Sequence, residues 1–448
     1  MKVLIANRGE IAVRVIRALR ELKLKSVAIY SAADKHSPHV SLADESWCIG
    51  EARPADTYLR SDKILTAAKL SKAQAVHPGY GFLSENKNFV RDCEKQGLIF
   101  IGPRARAMSK LEDKAKNKEI VASGNVPVIP GSRGNLSSCA SARKTARSIG
   151  YPILLKASYG GGGRGIYRVR SDKDLERAFN IASSEAVSAT SRGELYMEKC
   201  LQGARHVEMQ VAMDQRGATG SFVERDCTMQ RRNQKLLEET PSPFVDDVIR
   251  ARIKRAAENA VSACDLLGLS TVEFLLMPDK KTFYFMEINK RIQVEHPVTE
   301  ELLGIDLVKL QIKIALGESL PKILPSDPGS RHSIEVRINA EDPNQGFMPQ
   351  EGVISSFDMP GGPGIRVDSY VSAGMHVGTN YDSLVAKLIA TSANGRHDAL
   401  VKLKGALEEF NITGIKTTIP FHLSLINDTV FREGRKWLAN DFVEKTFL

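Results

Sequence analysis

The chain has 448 residues, 42% hydrophobic and 26% charged, with a formal net charge of +10. This length has room for roughly two to four domains, and the composition excludes a disordered or fibrous chain. The positive balance suits an anionic partner, but no block of about five like charges appears, so small anions are expected rather than nucleic acid.

"KVLIA" at 2–6 is an apolar run that reads as a buried strand, and a helical period follows through Ala12, Val15, Leu19 and Leu22. "SVAIYS" (26–31), "AQAVHP" (73–78) and "LIFIG" (98–102) read as further strands. Strands alternating with helices predict a parallel, Rossmann-like sheet, although the first turn lacks GxGxxG. This unit is expected to end near 112. A helix over 109–123 carries Lys114, and two strands then flank a glycine run, Gly160 to Gly163 and Gly165, in a small unit ending near "LYMEKCL" (195–201). Strands are expected at 206–214 and 218–232, a helix at 246–266, a hairpin at 270–289 around "PDKK", and a helix at 305–317. "LPSDPGSRH" (324–332) has linker composition and marks a boundary. The remainder mixes three strands with helices at 396–410 and 419–427. The expectation is a multidomain α/β and α+β chain: 1–112, 113–325 with a mobile lid at about 131–203, and a mixed α+β unit at 330–448.

Six cysteines without a CxxC pair indicate neither zinc nor disulfides, and a reducing compartment fits. No window approaches about 18 apolar residues, so no membrane span is expected. A strand pattern within the first three residues leaves no room for a leader, so a cytoplasmic location is expected.

The glycine run is not a Walker loop, because Lys156 precedes it and "IYRVR" after it reads as a strand. Glycines let a backbone fold over an anion and offer it N–H groups, so this is a flap for phosphates. Glu273 and Glu287 lie on apolar strands, where a bare carboxylate is costly to bury. Facing each other and joined by Asn289, they form a hard-oxygen set suited to Mg²⁺ carrying phosphates. Beyond Asn289, alternation puts Arg291, Gln293 and Glu295 on one face, so that Arg291 could hold a small oxyanion while Glu295 acts as base. The same alternation turns Lys290 away from that face.

"IANRGEIA", "HPGYGFLSEN", "KASYGGGGRG", "YMEK", "RHVEMQV", "ERDCTMQRR", "NKRIQVEHPVTE", "RINAEDP" and "YDSLVAKLI" resemble, in order, the biotin carboxylase component of biotin-dependent carboxylases, a family of ATP-grasp enzymes. The resemblance implies that MgATP (or MnATP) phosphorylates bicarbonate to carboxyphosphate, whose CO₂ is transferred to biotin on a carrier protein. It implies that Lys114 and Lys156 contact ATP phosphates under Gly161, Gly162, Gly163 and Gly165. The backbone around Lys199 and Leu201 meets adenine beside Glu198, and His206 and Gln230 line the nucleotide pocket. Glu273, Glu287 and Asn289 hold the metal. Lys235, Arg291, Gln293 and the Val294 backbone hold bicarbonate, Glu295 is the base, Arg337 stabilises the biotin enolate, and Tyr80 lies near biotin. No methionine-flanked carrier lysine is present, so a separate carrier protein, a carboxyltransferase subunit and a homodimer are implied, serving an acyl-CoA or pyruvate carboxylase. Two departures stand out. Asn233 occupies the place of a histidine that faces the nucleotide, and Tyr159 replaces a glycine at the front of the lid, where its bulk could slow closure. They keep open a weakly active nucleotide-binding subunit, and the flap and metal pair alone would equally serve another ATP-grasp carboxylate–amine ligase.

Overall fold

The computed structural model describes the whole chain except residues 160–164, 191–192, 323 and 448, and the side chains of 189–190. The first strands are short apolar runs with both faces covered. β1 (Lys2–Ile5), β2 (Lys25–Tyr30), β3 (Glu45–Cys48), β4 (Ala75–His77) and β5 (Ile99–Phe100) form a parallel sheet in the order β3-β2-β1-β4-β5. Such ordering needs helical crossovers, the first being α1 (Gly9–Glu21). Strand β3 was not anticipated: its "ESWC" shows half-buried alternation rather than an apolar run.

The helix expected over 109–123 is two helices, α2 (Ala105–Lys110) and α3 (Lys114–Ser123). Asp113 breaks the run because its carboxylate accepts from the N–H groups of Ala115 and Lys116, capping α3. Lys114 therefore opens a helix instead of lying inside one. β6 (Ile153–Ala157), β7 (Ile166–Val169) and β8 (Leu195–Lys199) make a three-stranded sheet with β6 central. Ala142, Ala146, Leu155, Leu175 and Met197 give this unit a core of its own. The glycine run lies between β6 and β7 and, apart from its last member, outside the described residues, as do Gly161, Gly162 and Gly163. Gly165 is described, with φ +70°.

The centre of the molecule is one eight-stranded sheet. It comprises β9 (Arg205–Met213), β10 (Thr219–Arg231), β11 (Gln234–Thr240), β12 (Gly268–Leu276), β13 (Phe283–Asn289), β14 (His332–Asn339), β15 (Ile365–Ser369) and β16 (Leu384–Ser392), ordered β13-β12-β9-β10-β11-β14-β16-β15. No helix or strand occupies 324–331, yet the sheet continues beyond it, with Glu238 in register with Glu335 and Leu237 with Val336. Period-two alternation separates two faces. Val207, Met209 and Val211 pack on Ile253, Ala257 and Ala260 of α4 (Asp247–Cys264). Ile334, Val336 and Leu388 pack against Leu403 and Leu407 of a helix at Arg396–Glu409. The opposite face carries Glu208, Arg225, Glu238, Glu335, Arg337 and Lys387.

The strand alternation expected through 295 stops at Asn289, the last residue of β13 in register with β12. Residues 290–295 leave the sheet edge and cross its charged face, and α5 (His296–Leu303) then begins with Pro297 in its first turn. Arg291, Gln293 and Glu295 are thus brought inward by a loop, not by a strand face. Lys290, expected to turn away from that face, has a mostly buried side chain 3.8 Å from Glu85, the same carboxylate that engages Arg291. No helix among the described residues is long and apolar enough to cross a membrane.

Candidate active site

Two antiparallel strands place Glu273 and Glu287 in register, and β9 puts Glu208 beside Glu273. Three carboxylates in a row would repel one another. Lys235, entering from β11, relieves this with its three ammonium protons: it donates to Glu208 (2.5 Å), Glu273 (3.0 Å) and Glu295 (2.6 Å). The second oxygen of Glu295 accepts from Arg337 (2.9 Å), whose Nε donates to Glu238 (2.7 Å).

Arg225, fully buried, closes the floor. Its guanidinium donates to Glu208 (2.5 Å), Gln210 (3.1 Å), Thr299 (3.2 Å), Thr271 (3.2 Å) and Gln293 (2.9 Å), using all five of its N–H groups. Gln293 passes the contact on, donating to Glu273 at 3.0 Å. Asn289 also donates to Glu273 (2.8 Å) and accepts from Arg291 (3.1 Å). Among the described residues, Arg291 reaches the cluster through Asn289, its Nε being engaged by Glu85 at 3.2 Å. His206 lies 3.0 Å from the other oxygen of Glu273.

Electrostatics follow from this wiring. Burial would raise the Glu295 carboxyl, but Lys235, Arg337 and Arg225 overcome it and hold Glu295 well below the usual carboxylate range. Burial also opposes charge on Lys235, and the surrounding acids more than compensate, so it remains an ammonium. Glu287 behaves differently. Its side chain is open to solvent, in register with Glu273 on the neighbouring strand. Two carboxylates in register, with the Asn289 amide donating to one of them, make a hard-oxygen set, so Glu273, Glu287 and Asn289 fit magnesium. Two other groupings, His206–Glu208–Glu273 and Glu208–Cys227–Glu295, have ligand atoms close enough for an ion. In both, the Lys235 ammonium already fills the cationic role.

A second cluster joins β6 and β8. Lys156 donates to one oxygen of the buried Glu198 at 2.6 Å, and Lys118 donates to the other at 3.1 Å. Lys114 lies between the clusters: burial lowers its ammonium, Glu287 opposes that and Lys156 reinforces it. Lys199 turns its side chain away, to the carbonyls of Gly150 and Tyr151 (both 2.9 Å), and its N–H is taken by Pro130. Leu201 lies two residues past the end of β8 and is half-buried, and Gln230 is buried in register with Lys235. Asn233 is exposed at the tip of the β10–β11 turn, with φ +64° beside Arg232 at +47°. A two-residue turn of this kind favours asparagine, which gives the departure from histidine a backbone rationale. Tyr159 donates to Asp113 at 3.3 Å, linking the base of the glycine run to the cap of α3. Val294 offers its carbonyl to Lys387 (2.9 Å), and Tyr80 donates to Glu10.

Three family models match in succession: "Biotin carboxylase, N-terminal domain" over residues 1–108, "Carbamoyl-phosphate synthase L chain, ATP binding domain" over 113–323, and "Biotin carboxylase C-terminal domain" over 335–444. Biotin carboxylase 1 of Bacillus subtilis is 47% identical over 433 residues, 97% of this chain and 96% of the relative. The chain belongs to the biotin carboxylase family. Among solved structures, a biotin carboxylase–β,γ-ATP complex from Campylobacter jejuni matches with TM-score 0.94 at 43% identity, covering 99% of this chain and 98% of that one. The biotin carboxylase domain dimer of Hydrogenobacter thermophilus 2-oxoglutarate carboxylase, in complex with MgADP, ADP and bicarbonate, matches with TM-score 0.93 at 44% identity, covering 99% and 97%.

Sequence reasoning assigned no role to Glu208, Arg225, Glu238, Lys118 or Lys387. The available signal was the polar phase of "HVEMQV", which places Glu208 on the face opposite Val207, Met209 and Val211; "FVERDC" carries no such phase, because Arg225 alternates with Val223 and Cys227.

Proposed function

We propose that this chain carboxylates biotin on a carrier protein, using ATP and bicarbonate by way of carboxyphosphate. It would serve as the biotin carboxylase subunit of an acyl-CoA or pyruvate carboxylase. One observation carries the assignment of roles: Lys235 and Arg337 grip the two oxygens of Glu295 from adjacent strands. Glu295, kept ionised, is poised to take the proton of bicarbonate, with Lys235, Arg291, Gln293 and the Val294 backbone around the anion. Deprotonated bicarbonate attacks the γ-phosphorus, ADP leaves, and carboxyphosphate forms. Its decomposition gives CO₂ and phosphate. Phosphate then removes the ureido proton of biotin, and the enolate, stabilised by Arg337, attacks CO₂. Lys114, Lys156, Gly161, Gly162, Gly163 and Gly165 would contact the ATP phosphates. The Lys199–Leu201 backbone, Glu198, His206, Gln230 and Asn233 are placed on the rest of the nucleotide, and Tyr80 near biotin. Glu273, Glu287 and Asn289 are the residues that would hold magnesium, which neutralises phosphate charge when bound.

As it stands, Glu295 is a weak base, because Lys235, Arg337 and Arg225 depress it. Engagement of Lys235 by bicarbonate and of Arg337 by biotin would release part of that hold and raise its basicity when both substrates are present. A carboxyltransferase partner, a homodimer and a cytoplasmic location complete the reading. The test is ADP release from MgATP with and without bicarbonate, alongside carboxybiotin formation from free biotin. Arg337→Ala should reduce carboxybiotin formation by a larger factor than bicarbonate-dependent ADP release. Equal losses would remove Arg337 from the enolate step.

A further inference from the structure

We propose that Lys387 is a positioning residue that holds the main chain of the base in place while its side chain is handed over to substrates. Lys387 lies on β16, in register with Arg337 on one side and Asp368 on the other, and is completely buried. Its ammonium donates to the carbonyl of Val294 at 2.9 Å and stands 3.2 Å from Glu10 and 3.9 Å from Asp368. Two buried acids already balance its charge. The hydrogen bond to Val294 goes to a neutral carbonyl, at the peptide that immediately precedes Glu295.

That carbonyl differs from its neighbours. Residues 290–295 belong to no ladder, so nothing regular fixes their peptides. The carbonyls of Ile292, Gln293 and Glu295 accept from Arg291 (3.1 Å), His296 (3.3 Å to its N–H and 2.7 Å to its ring) and Val298 (3.4 Å), all nearby in sequence. The carbonyl of Val294 is held instead from the sheet, by a residue 93 positions away. Side-chain ties to Glu295 exist as well, but they come from Lys235 and Arg337, the two cations assigned to bicarbonate and biotin. When substrates claim those cations, the tie from Lys387 remains. Glu10 in turn steadies the ammonium and accepts from Tyr80, which connects the expected biotin side to the same peptide.

The inference rests on the functional reading above, and the experiment separates the two. Wild-type full-length chain, Lys387→Met, Lys387→Met with Glu10→Gln, and Glu10→Gln alone are compared. Bicarbonate-dependent ADP release, ADP affinity and melting temperature are measured for each. The double variant removes cation and anion together, which spares the core an unpaired Glu10. In both lysine variants kcat/KM for bicarbonate should fall about tenfold or more, because small misplacement of a reacting group is costly. Their ADP affinity should stay within about twofold, since the phosphate lysines are untouched, whereas general damage would lower both together. Glu10→Gln keeps a hydrogen-bonding group against the ammonium and should show a loss of about threefold in the same parameter. It decides the matter if neither lysine variant folds. Any folded variant with unchanged bicarbonate kinetics, or with an equal loss of ADP affinity, overturns the role of Lys387. Absence of bicarbonate-dependent ADP release in the wild type counts against the functional reading instead.

Discussion

The two main sheets solve opposite problems. The five-stranded sheet is apolar through its middle: Val3, Leu4, Ile5, Val27, Ile29 and Val76 are all fully buried. Removing such groups from water stabilises at about 25 cal/mol per Å², without directional demands. The eight-stranded sheet buries Glu208, Arg225, Glu238 and Lys387 just as completely. Such a face is stable only where each charge is matched in both sign and geometry, and hydrophobic replacements would often be no worse for stability. Its charges are therefore best explained by chemistry, and the apolar sheet by support.

Four substitutions test that contrast. The largest effect is expected from Glu295→Gln, which should lower bicarbonate-dependent ADP release by about 100-fold or more while leaving ADP binding intact. A loss under about tenfold would remove Glu295 as the base. Arg225→Met should destabilise by about 3–5 kcal/mol in denaturant melts, because Glu208 and four polar neighbours lose their donor. Leu4→Ala should cost about 2–5 kcal/mol, but with kcat/KM unchanged per folded molecule, since its sheet bears none of the charge chemistry. The smallest effect comes from Glu239→Gln, at the seam where β11 meets β14. There Arg396 (2.6 Å) and His332 (2.8 Å) bind Glu239, and although burial opposes them they hold its carboxyl down at about 2, against an ordinary 4.5. A depressed acid stabilises above its unfolded pKa and loses that contribution as pH falls through its folded one. The wild type should exceed the variant by about 1.5–3 kcal/mol at pH 7. Thermal melts should show the gap closing between pH 4.5 and 2. A gap independent of pH would mean that Glu239 acts by packing alone.

The same contrast decides what was legible in the sequence. Continuous apolar runs such as "KVLIA" and "SVAIYS" declare buried strands, and the hairpin carrying Glu273 and Glu287 was placed correctly by its "PDKK" turn. Charged residues on a strand read as solvent-facing unless their partners are known. Glu208 finds Arg225 from 17 residues away and Lys235 from 27, distances that local patterning does not span. Extrapolating alternation past Asn289 failed because the ladder ended there, although Pro297 already signalled a change of structure. Asp113 was overlooked because its capping role competes with the helical period around it. The reach of Glu85 to Arg291, across 206 residues, has no local signature.

The seam between β11 and β14 has a mechanical consequence. Lys235 and Arg337 stand about a hundred positions apart in sequence, yet their strands are neighbours in one hydrogen-bonded ladder. Rigid-body rotation of one part of the chain against another cannot pull this pair of gripping cations open without shearing that ladder. The grip on Glu295 is therefore set by backbone pairing, not by how separate parts of the chain are oriented.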